Sequence, residues 1–423
     1  MNNIIKILKE FDEITNYKVT QVQTTSYEAF FVHKKLETVR ATQTTDKTVT
    51  IYVEHDGKLG DSVFSMYAST TEEELRAKIA LAVEKAQLVN NQPYELPAGE
   101  SLTEEIYSNI GEMEPKELAR EIARACFDAN DNPNGSLNAL EIFVNKVRVH
   151  IVNGNGLDKC EQKYNCMVEA IPTWTDGESV ELYECYNFST FSYDDVKAEI
   201  AGKMQEVRDR YYATKPQVNP NCTVILNAPE IASLLWEMVS ELGYSAVYAH
   251  SNAFKKGDNL QDGDCDKLNI MLRGKVEGSH HNSLFDGDGV TLKDTVVVEN
   301  GIVTNYHGSN RFGQYLGEKV ITGVLPCMQV GAGSVAENDL NKEPYFECVS
   351  MSGLQVDIYN DYIGGEVRLA YYFDGTTKVA LTGISISGKL SEALATLRLT
   401  NKIVTHNDYR GPHKALFGKI AVI

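Results

Sequence analysis

Residues 285–306 read FDGDGVTLKDTVVVENGIVTNY, and this order of residue types predicts a tight turn followed by a β-hairpin. FDGDGV (285–290) is rich in glycine and flanked by strand-like residues, which favours a turn over a cage of metal ligands. The runs TVVV and IVTNY surround Asn300-Gly301, a pair that favours the two-residue hairpin turn. From residue 267 to the C-terminus most of the chain alternates or turns in the same manner, which predicts a mostly β region.

Upstream of this region, one order of parts occurs twice: a helix, several alternating strands and a second helix. In the first copy Asp56-Gly57 predicts a hairpin turn, and Thr71 with Glu74 predicts a capping box at the start of the closing helix. A polar stretch at 90–101 with two prolines separates the copies and reads as a linker. The predicted class is therefore α+β, with an N-terminal α+β domain at 1–100, a central α+β domain at 101–217 and a mostly β C-terminal domain at 218–423.

The composition narrows the classes of function. The 423 residues include 40 basic and 59 acidic ones, giving a net charge of −19 without any basic stripe. Because phosphate backbones are bound by clustered Lys and Arg, we expect neither direct nucleic-acid binding nor docking on an anionic membrane. No apolar run reaches the roughly 18 residues of a membrane span. The eight cysteines form no CxxC pair, which favours reduced thiols and a cytoplasmic location.

Residues 234–248, LLWEMVSELGYSAVY, predict an amphipathic helix that begins at Asn227 and Pro229 and is capped by Gly243. Four apolar side chains are expected to pack inward, while Glu237 and Glu241 face water. Two like charges one turn apart cost an isolated helix roughly 0.2–0.5 kcal/mol unless something uses them. The inward-facing set comprises Leu234, Leu235, Met238 and Leu242.

A zinc peptidase could use such a helix, so two interpretations remain open. Zinc catalysis needs three protein ligands, an open position and a glutamate as general base. Glu237 suits the last role, but the helix contains no histidine, and the nearest downstream is His250. The stretch is either a zinc helix without its ligands or an ordinary amphipathic helix.

Other candidate sites are weaker. The acidic loop 257–266 fails the EF-hand pattern at Leu260 and Asn269, and we expect a mobile, solvated loop. His280 and His281 are neighbours that cannot easily reach one metal from a strand, so we expect each to be exposed or hydrogen-bonded. No nucleophile-elbow, phosphate-loop or dinucleotide motif occurs.

The stretch 285–306 resembles the C-terminal signature of the TldD/PmbA family, whose members are also labelled modulators of DNA gyrase. EEELRAKIALAVEKAQ (72–87) is similar to the family's N-terminal domain, and the likeness runs from about residue 20 to the end. The resemblance implies two kinds of member. TldD-like members carry His-Glu-x-x-x-His in the helix and a cysteine ligand near the C-terminus, and PmbA-like (TldE) members lack these ligands and pair with the first kind.

On that motif Trp236 and Glu241 replace the two histidines, Glu237 keeps the general-base position, and HNDYRGPHKALFG (406–418) holds no cysteine. The resemblance thus implies a metal-free, PmbA/TldE-like subunit with no catalytic, cofactor-binding or metal residues of its own. Zinc is expected in a TldD-like paralogue, which would form a heterodimer with this chain; alone, the chain could form a homodimer. The implied substrate is an unfolded peptide, held by strand addition to a sheet edge.

Two alternatives stay open. The chain could be a non-enzymatic modulator that acts on DNA gyrase by protein–protein contact, its acidic surface meeting a basic partner. It could also be an autonomous hydrolase that uses residues outside any motif recognised in the sequence.

Overall fold

The computed structural model describes all 423 residues. None of the eight α-helices combines the length and the apolar composition that a membrane-crossing helix requires. The helices are α1 (Asn2–Leu8), α2 (Glu72–Ala86), α3 (Pro115–Phe127), α4 (Tyr193–Tyr212), α5 (Ala228–Ser240), α6 (Tyr244–Tyr248), α7 (Asn310–Tyr315) and α8 (Leu390–Ala395). The strands are β1 (Asn16–Val32), β2 (Lys35–His55), β3 (Lys58–Met66), β4 (Ser101–Glu105), β5 (Gly135–Asn153), β6 (Asp158–Asp176), β7 (Glu178–Glu181), β8 (Glu184–Phe188), β9 (Thr223–Asn227), β10 (Ile270–Arg273), β11 (Thr295–Glu299), β12 (Ile302–Val303), β13 (Cys327–Val330), β14 (Tyr345–Met351), β15 (Gln355–Asp357), β16 (Tyr362–Phe373), β17 (Lys378–Leu381), β18 (Ile384–Gly388), β19 (Arg398–Leu399), β20 (Ile403–His406), β21 (Tyr409–Pro412), β22 (Lys414–Phe417) and β23 (Ile420–Val422).

The first sheet has eight strands and joins the two halves of the N-terminal region. Its order is β3-β2-β1-β5-β6-β4, with β7 and β8 both paired to β6. β1 pairs antiparallel with β2 on one side and with β5 on the other, starting at Lys18 opposite Asn153. The two predicted lobes therefore share one sheet, because each would otherwise leave a long edge strand unpaired. Each lobe keeps its own apolar core, one beside α1 and α2 and the other beside α3 and α4.

The C-terminal region contains two further sheets. The six-stranded sheet has the order β12-β11-β10-β13-β21-β20. The nine-stranded sheet runs β19-β22-β9-β14-β16-β18-β23, with β15 and β17 paired to β16. Buried side chains of both sheets and of α5 form one apolar core. The predicted α+β class with a mainly β C-terminal region is confirmed, whereas the domain boundaries at 100 and 217 stay a prediction.

The stretch 285–306 folds as predicted from its local residues. The Asp286 carboxylate accepts hydrogen bonds from the backbone N–H groups of Asp288 (2.9 Å) and Val290 (3.0 Å), which closes the turn. Asn300 (φ 51°) and Gly301 (φ 78°) form the hairpin turn that joins β11 to β12. The positive φ at both positions explains why an Asn-Gly pair stands there.

The FDGDGV turn also fastens the C-terminal region to the first sheet. Lys18 of β1 reaches the Asp288 carboxylate at 2.7 Å. Lys159 of β6 is completely buried and bonds Glu100 at 2.6 Å and the Thr291 hydroxyl at 2.5 Å. A buried charge needs such partners, since an unpaired one would be far costlier. These contacts join the C-terminal region to the first sheet, and the cleft described below lies between the same two regions.

Candidate functional site

Helix α5 begins where the sequence predicts and ends earlier than expected. Asn227 is its N-cap residue and Pro229 lies in its first turn. The helix ends at Ser240, and Gly243 has φ −67°, so the prediction of a left-handed glycine cap there is wrong. The physical reason is a tertiary contact: the backbone N–H of Tyr244 donates to the carbonyl of His307 at 2.7 Å, which draws the chain off the helix axis.

The inward face of α5 is confirmed, since all four predicted apolar side chains are buried. Trp236 is half-buried and packs against the same core. Glu237 is exposed. Glu241 does not face water as predicted, because its Oε2 accepts hydrogen bonds from the N–H of Ala253 (2.6 Å) and the hydroxyl of Tyr359 (2.7 Å). These two hydrogen bonds explain why a second carboxylate stands one turn after Glu237. Through them Glu241 anchors the loop after α6.

The residues at the zinc-motif positions do not fit a zinc ion. The Trp236 indole offers only an N–H donor, and Glu241 is engaged by two donors. Strands β20–β22, which contain segment 406–418, do pack against α5, but that segment has no cysteine. His250 is exposed beyond α6. No group of three or more His, Cys, Asp or Glu side chains is placed to hold a metal.

The loop 257–266 is exposed along most of its length, as expected, but Gln261 within it is buried. The Oε1 of Gln261 accepts a hydrogen bond from the N–H of Leu268 at 2.6 Å, and its amide donates to the carbonyl of Asp266. His281 is exposed as expected, whereas His280 is partly buried, lies with its ring centroid 3.9 Å from that of His281, and has its Nδ1 enclosed without a hydrogen-bond partner. Burial lowers the pKa of His280 to about 4, so this residue is neutral at physiological pH.

A cleft with a volume of about 730 Å³ lies at the start of α5. One wall is formed by β8 and α4 of the N-terminal region. The other wall is formed by the first turn of α5, the end of β14 and strand β20. Pockets between domains are common ligand sites, and this one is lined mostly by polar side chains.

Three glutamates surround Lys203 on the α4 side of the cleft. The Lys203 ammonium lies 3.1 Å from Glu206 and 3.4 Å from Glu184, with Glu199 nearby on the same helix. Burial lowers the pKa of Lys203, but the three carboxylates outweigh it and the pKa is raised. Burial raises the pKa of Glu199 and of Glu206. Lys203 is therefore a fixed cation among carboxyl groups that outnumber it.

Glu230 and Asn227 lie on the opposite wall, where α5 begins. The Glu230 Oε2 and the Asn227 Oδ1 are both enclosed by protein and have no hydrogen-bond partner, although the Asn227 amide donates to the carbonyl of Cys348 at 3.1 Å. Desolvation raises the pKa of Glu230 to about 7, against small opposing effects of its own backbone N–H and of Lys203. Two enclosed acceptors thus border a cleft without donors to satisfy them.

Two histidines complete the cleft on the C-terminal side. Burial lowers the pKa of His406 in β20, so it brings no charge at neutral pH. His413 is hydrogen-bonded to Glu337. Sequence reasoning missed this cleft. The one local signal was the spacing of Glu199, Lys203 and Glu206 on one face of α4. By itself this spacing indicates only two ordinary ion pairs on the surface of a helix.

Comparisons with known proteins agree with this fold. Residues 219–423 match the family described as PmbA/TldA metallopeptidase C-terminal domain. No curated protein sequence matches the chain significantly. TldE from Thermococcus kodakarensis is similar in structure, with a TM-score of 0.80 and 15% identity over 100% of this chain and 99% of that one.

Two bacterial structures are similarly close, each described as a proposed modulator of DNA gyrase. The Thermotoga maritima protein has a TM-score of 0.79 and 13% identity, covering 100% of this chain and 99% of its own. The Bacteroides thetaiotaomicron protein has a TM-score of 0.80 and 13% identity, covering 100% and 97%. At such identities the structures show a shared fold over the full chain. Residues 219–423 of this chain therefore belong to the PmbA/TldA metallopeptidase C-terminal domain family, and the whole chain shares the fold of these three structures.

Proposed function

We propose that this chain is the metal-free, TldE-like subunit of a TldD/PmbA-type metallopeptidase and helps to hold unfolded peptides for a zinc-bearing paralogue. One observation carries the proposal: the side chains at the zinc-motif positions of α5 make structural contacts within this chain. Trp236 packs on the core, and Glu241 anchors a loop through Ala253 and Tyr359. The helix therefore keeps its place in a metallopeptidase domain while its side chains serve the fold.

Two strand edges at the cleft support the peptide-binding part of the proposal. Strand β8 pairs only with β6, and strand β20 pairs only with β21, and residues of both line the cleft. An extended peptide gains backbone hydrogen bonds by adding a strand to such an edge. This mode restricts the substrate to unfolded segments, because a folded chain cannot present a continuous free strand.

A cytoplasmic location is part of the same proposal. All eight cysteines are free, and five of them are buried. Reduced thiols of this kind are typical of proteins kept in a reducing compartment.

The proposal is tested by mixing the purified chain with a TldD-like, zinc-bearing paralogue from the same cell. Size-exclusion chromatography with light scattering should show a one-to-one complex, whereas the chain alone could form homodimers. Hydrolysis of an unfolded fluorogenic peptide should require the complex and stop with a zinc chelator. Chelator-resistant cleavage by this chain alone would contradict the proposal and indicate an autonomous hydrolase.

A second candidate function is contact with DNA gyrase. The net charge of −19 suits a basic partner, and two similar structures are described as proposed gyrase modulators. Salt-sensitive co-purification with gyrase from cells that lack the paralogue would favour this function. Co-purification that depends on the paralogue would favour the peptidase subunit.

A further inference from the structure

The charges around the cleft do not balance. Four glutamates line it, Glu184, Glu199, Glu206 and Glu230, and only Lys203 opposes them from within the lining. His406 is neutral at physiological pH, and His413 is paired with Glu337. Enclosed carboxylates are costly unless a proton, a cation or hydrogen-bond donors compensate them. The cleft therefore has room for a cationic group, whose charge would favour the ionised form of these carboxyls.

The positions of unsatisfied atoms show where such a group would sit. Lys203 already contacts Glu206 and Glu184, so it does not reach the Glu230 Oε2, which has no partner. The Asn227 Oδ1, at the N-cap of the same helix, lacks a donor as well. A ligand with several N–H groups and a positive charge has the kind of donor that both oxygens lack.

We propose that this cleft binds a basic side chain of the peptide, with Glu230 and Asn227 as its acceptors and Glu199 adding negative charge. The inference deepens the proposed function and rests on the peptide lying in this cleft, along β8 or β20. An arginine suits the two acceptors best, because its planar guanidinium presents five donors and stays charged. A metal ion suits them less, since no three acidic, His or Cys side chains converge here.

The test is direct binding by the chain alone, measured by fluorescence anisotropy at pH 8, above the pKa of about 7 of Glu230. Three short, unfolded, labelled peptides differ only at one central position, which is arginine, citrulline or glutamate. Citrulline has nearly the shape of arginine without its charge, so it isolates the effect of the charge. Hydrogen bonds to charged groups contribute enough that the arginine peptide should bind on the order of 10-fold tighter than the citrulline peptide.

Variants then assign the effect to the cleft. Glu230→Gln keeps the size of the side chain and should reduce the arginine preference on the order of 10-fold, leaving citrulline binding unchanged. Glu199→Gln should reduce it in the same direction. Glu237→Gln is the matched control, because Glu237 is exposed on the same helix outside the cleft. It should retain the full preference.

The outcomes separate this inference from the proposed function. Equal binding of all three peptides would overturn the basic-side-chain site, with water then satisfying the two oxygens, and would leave the peptide-binding role intact. Binding of none of them would overturn both. An arginine preference that Glu230→Gln does not change would place the selectivity elsewhere and overturn the assignment to this cleft.

Discussion

Glu230 should make the stability of the folded chain depend on pH, and the direction of this dependence follows from the pKa of its carboxyl. Desolvation raises the pKa of its carboxyl from 4.5 to about 7 in the folded state. At pH values between these two, the folded chain holds a proton that the unfolded chain has lost. The contribution of this proton to the stability of the fold is therefore complete below the window and is lost as pH rises through it. At 1.36 kcal/mol per pKa unit the loss is at most about 3 kcal/mol. Because part of the Glu230 side chain reaches solvent, roughly 1–3 kcal/mol is expected.

Glu230→Gln removes this loss, because an amide has no proton to give up. The variant should match the wild type near pH 4.5 and exceed it in stability by roughly 1–3 kcal/mol near pH 8. The assay is urea unfolding at both pH values, following the transition of the C-terminal region. Glu237→Gln on the same helix is the control and should stay within about 0.5 kcal/mol of wild type at each pH. A Glu230→Gln variant that is equally or less stable at pH 8 would refute the idea of a buried, largely protonated carboxyl.

Three further predictions follow from the same structure. Gly289 has φ +83°, and a Cβ there would lie 2.8 Å from the side chain of Leu157. Gly289→Ala should therefore lower the free energy of unfolding by roughly 1–3 kcal/mol, measured by thermal or urea unfolding. A variant as stable as the wild type would show that the turn does not dock as described. Tyr359→Phe removes one donor to Glu241 and should increase proteolysis of the loop after α6, an increase that would be absent if Glu241 faced water. Glu237→Ala should leave peptidase activity of the assembled complex within about twofold, and a loss of several orders of magnitude with assembly unchanged would contradict the non-catalytic role.

Features determined by neighbouring residues could be predicted from the sequence. The capping box of α2 forms as expected, with Glu74 N–H bonded to the Thr71 hydroxyl and Thr71 N–H bonded to the Glu74 carboxylate. The turns at Asp56-Gly57 and Asn300-Gly301 adopt the positive φ values that those residues tolerate. The inward face of α5 follows its helical periodicity.

Features that depend on distant contacts could not be predicted in the same way. The pairing of Lys18 with Asn153, which merges two lobes into one sheet, spans more than a hundred residues. The early end of α5 depends on the carbonyl of His307, and the role of Glu241 depends on Tyr359. The cleft needs α4 on one wall and the start of α5 on the other, so Lys203 and Glu230 carry no shared signal in the sequence.

The central claim is that the zinc-motif positions of α5 serve the fold of this chain and hold no metal. Elemental analysis of the purified chain, after dialysis against metal-free buffer, tests it most directly. We expect essentially no zinc in this chain and zinc only in the paralogue of the reconstituted complex. Close to one zinc per chain, retained when Glu241 and His250 are intact and lost when either is replaced, would contradict it.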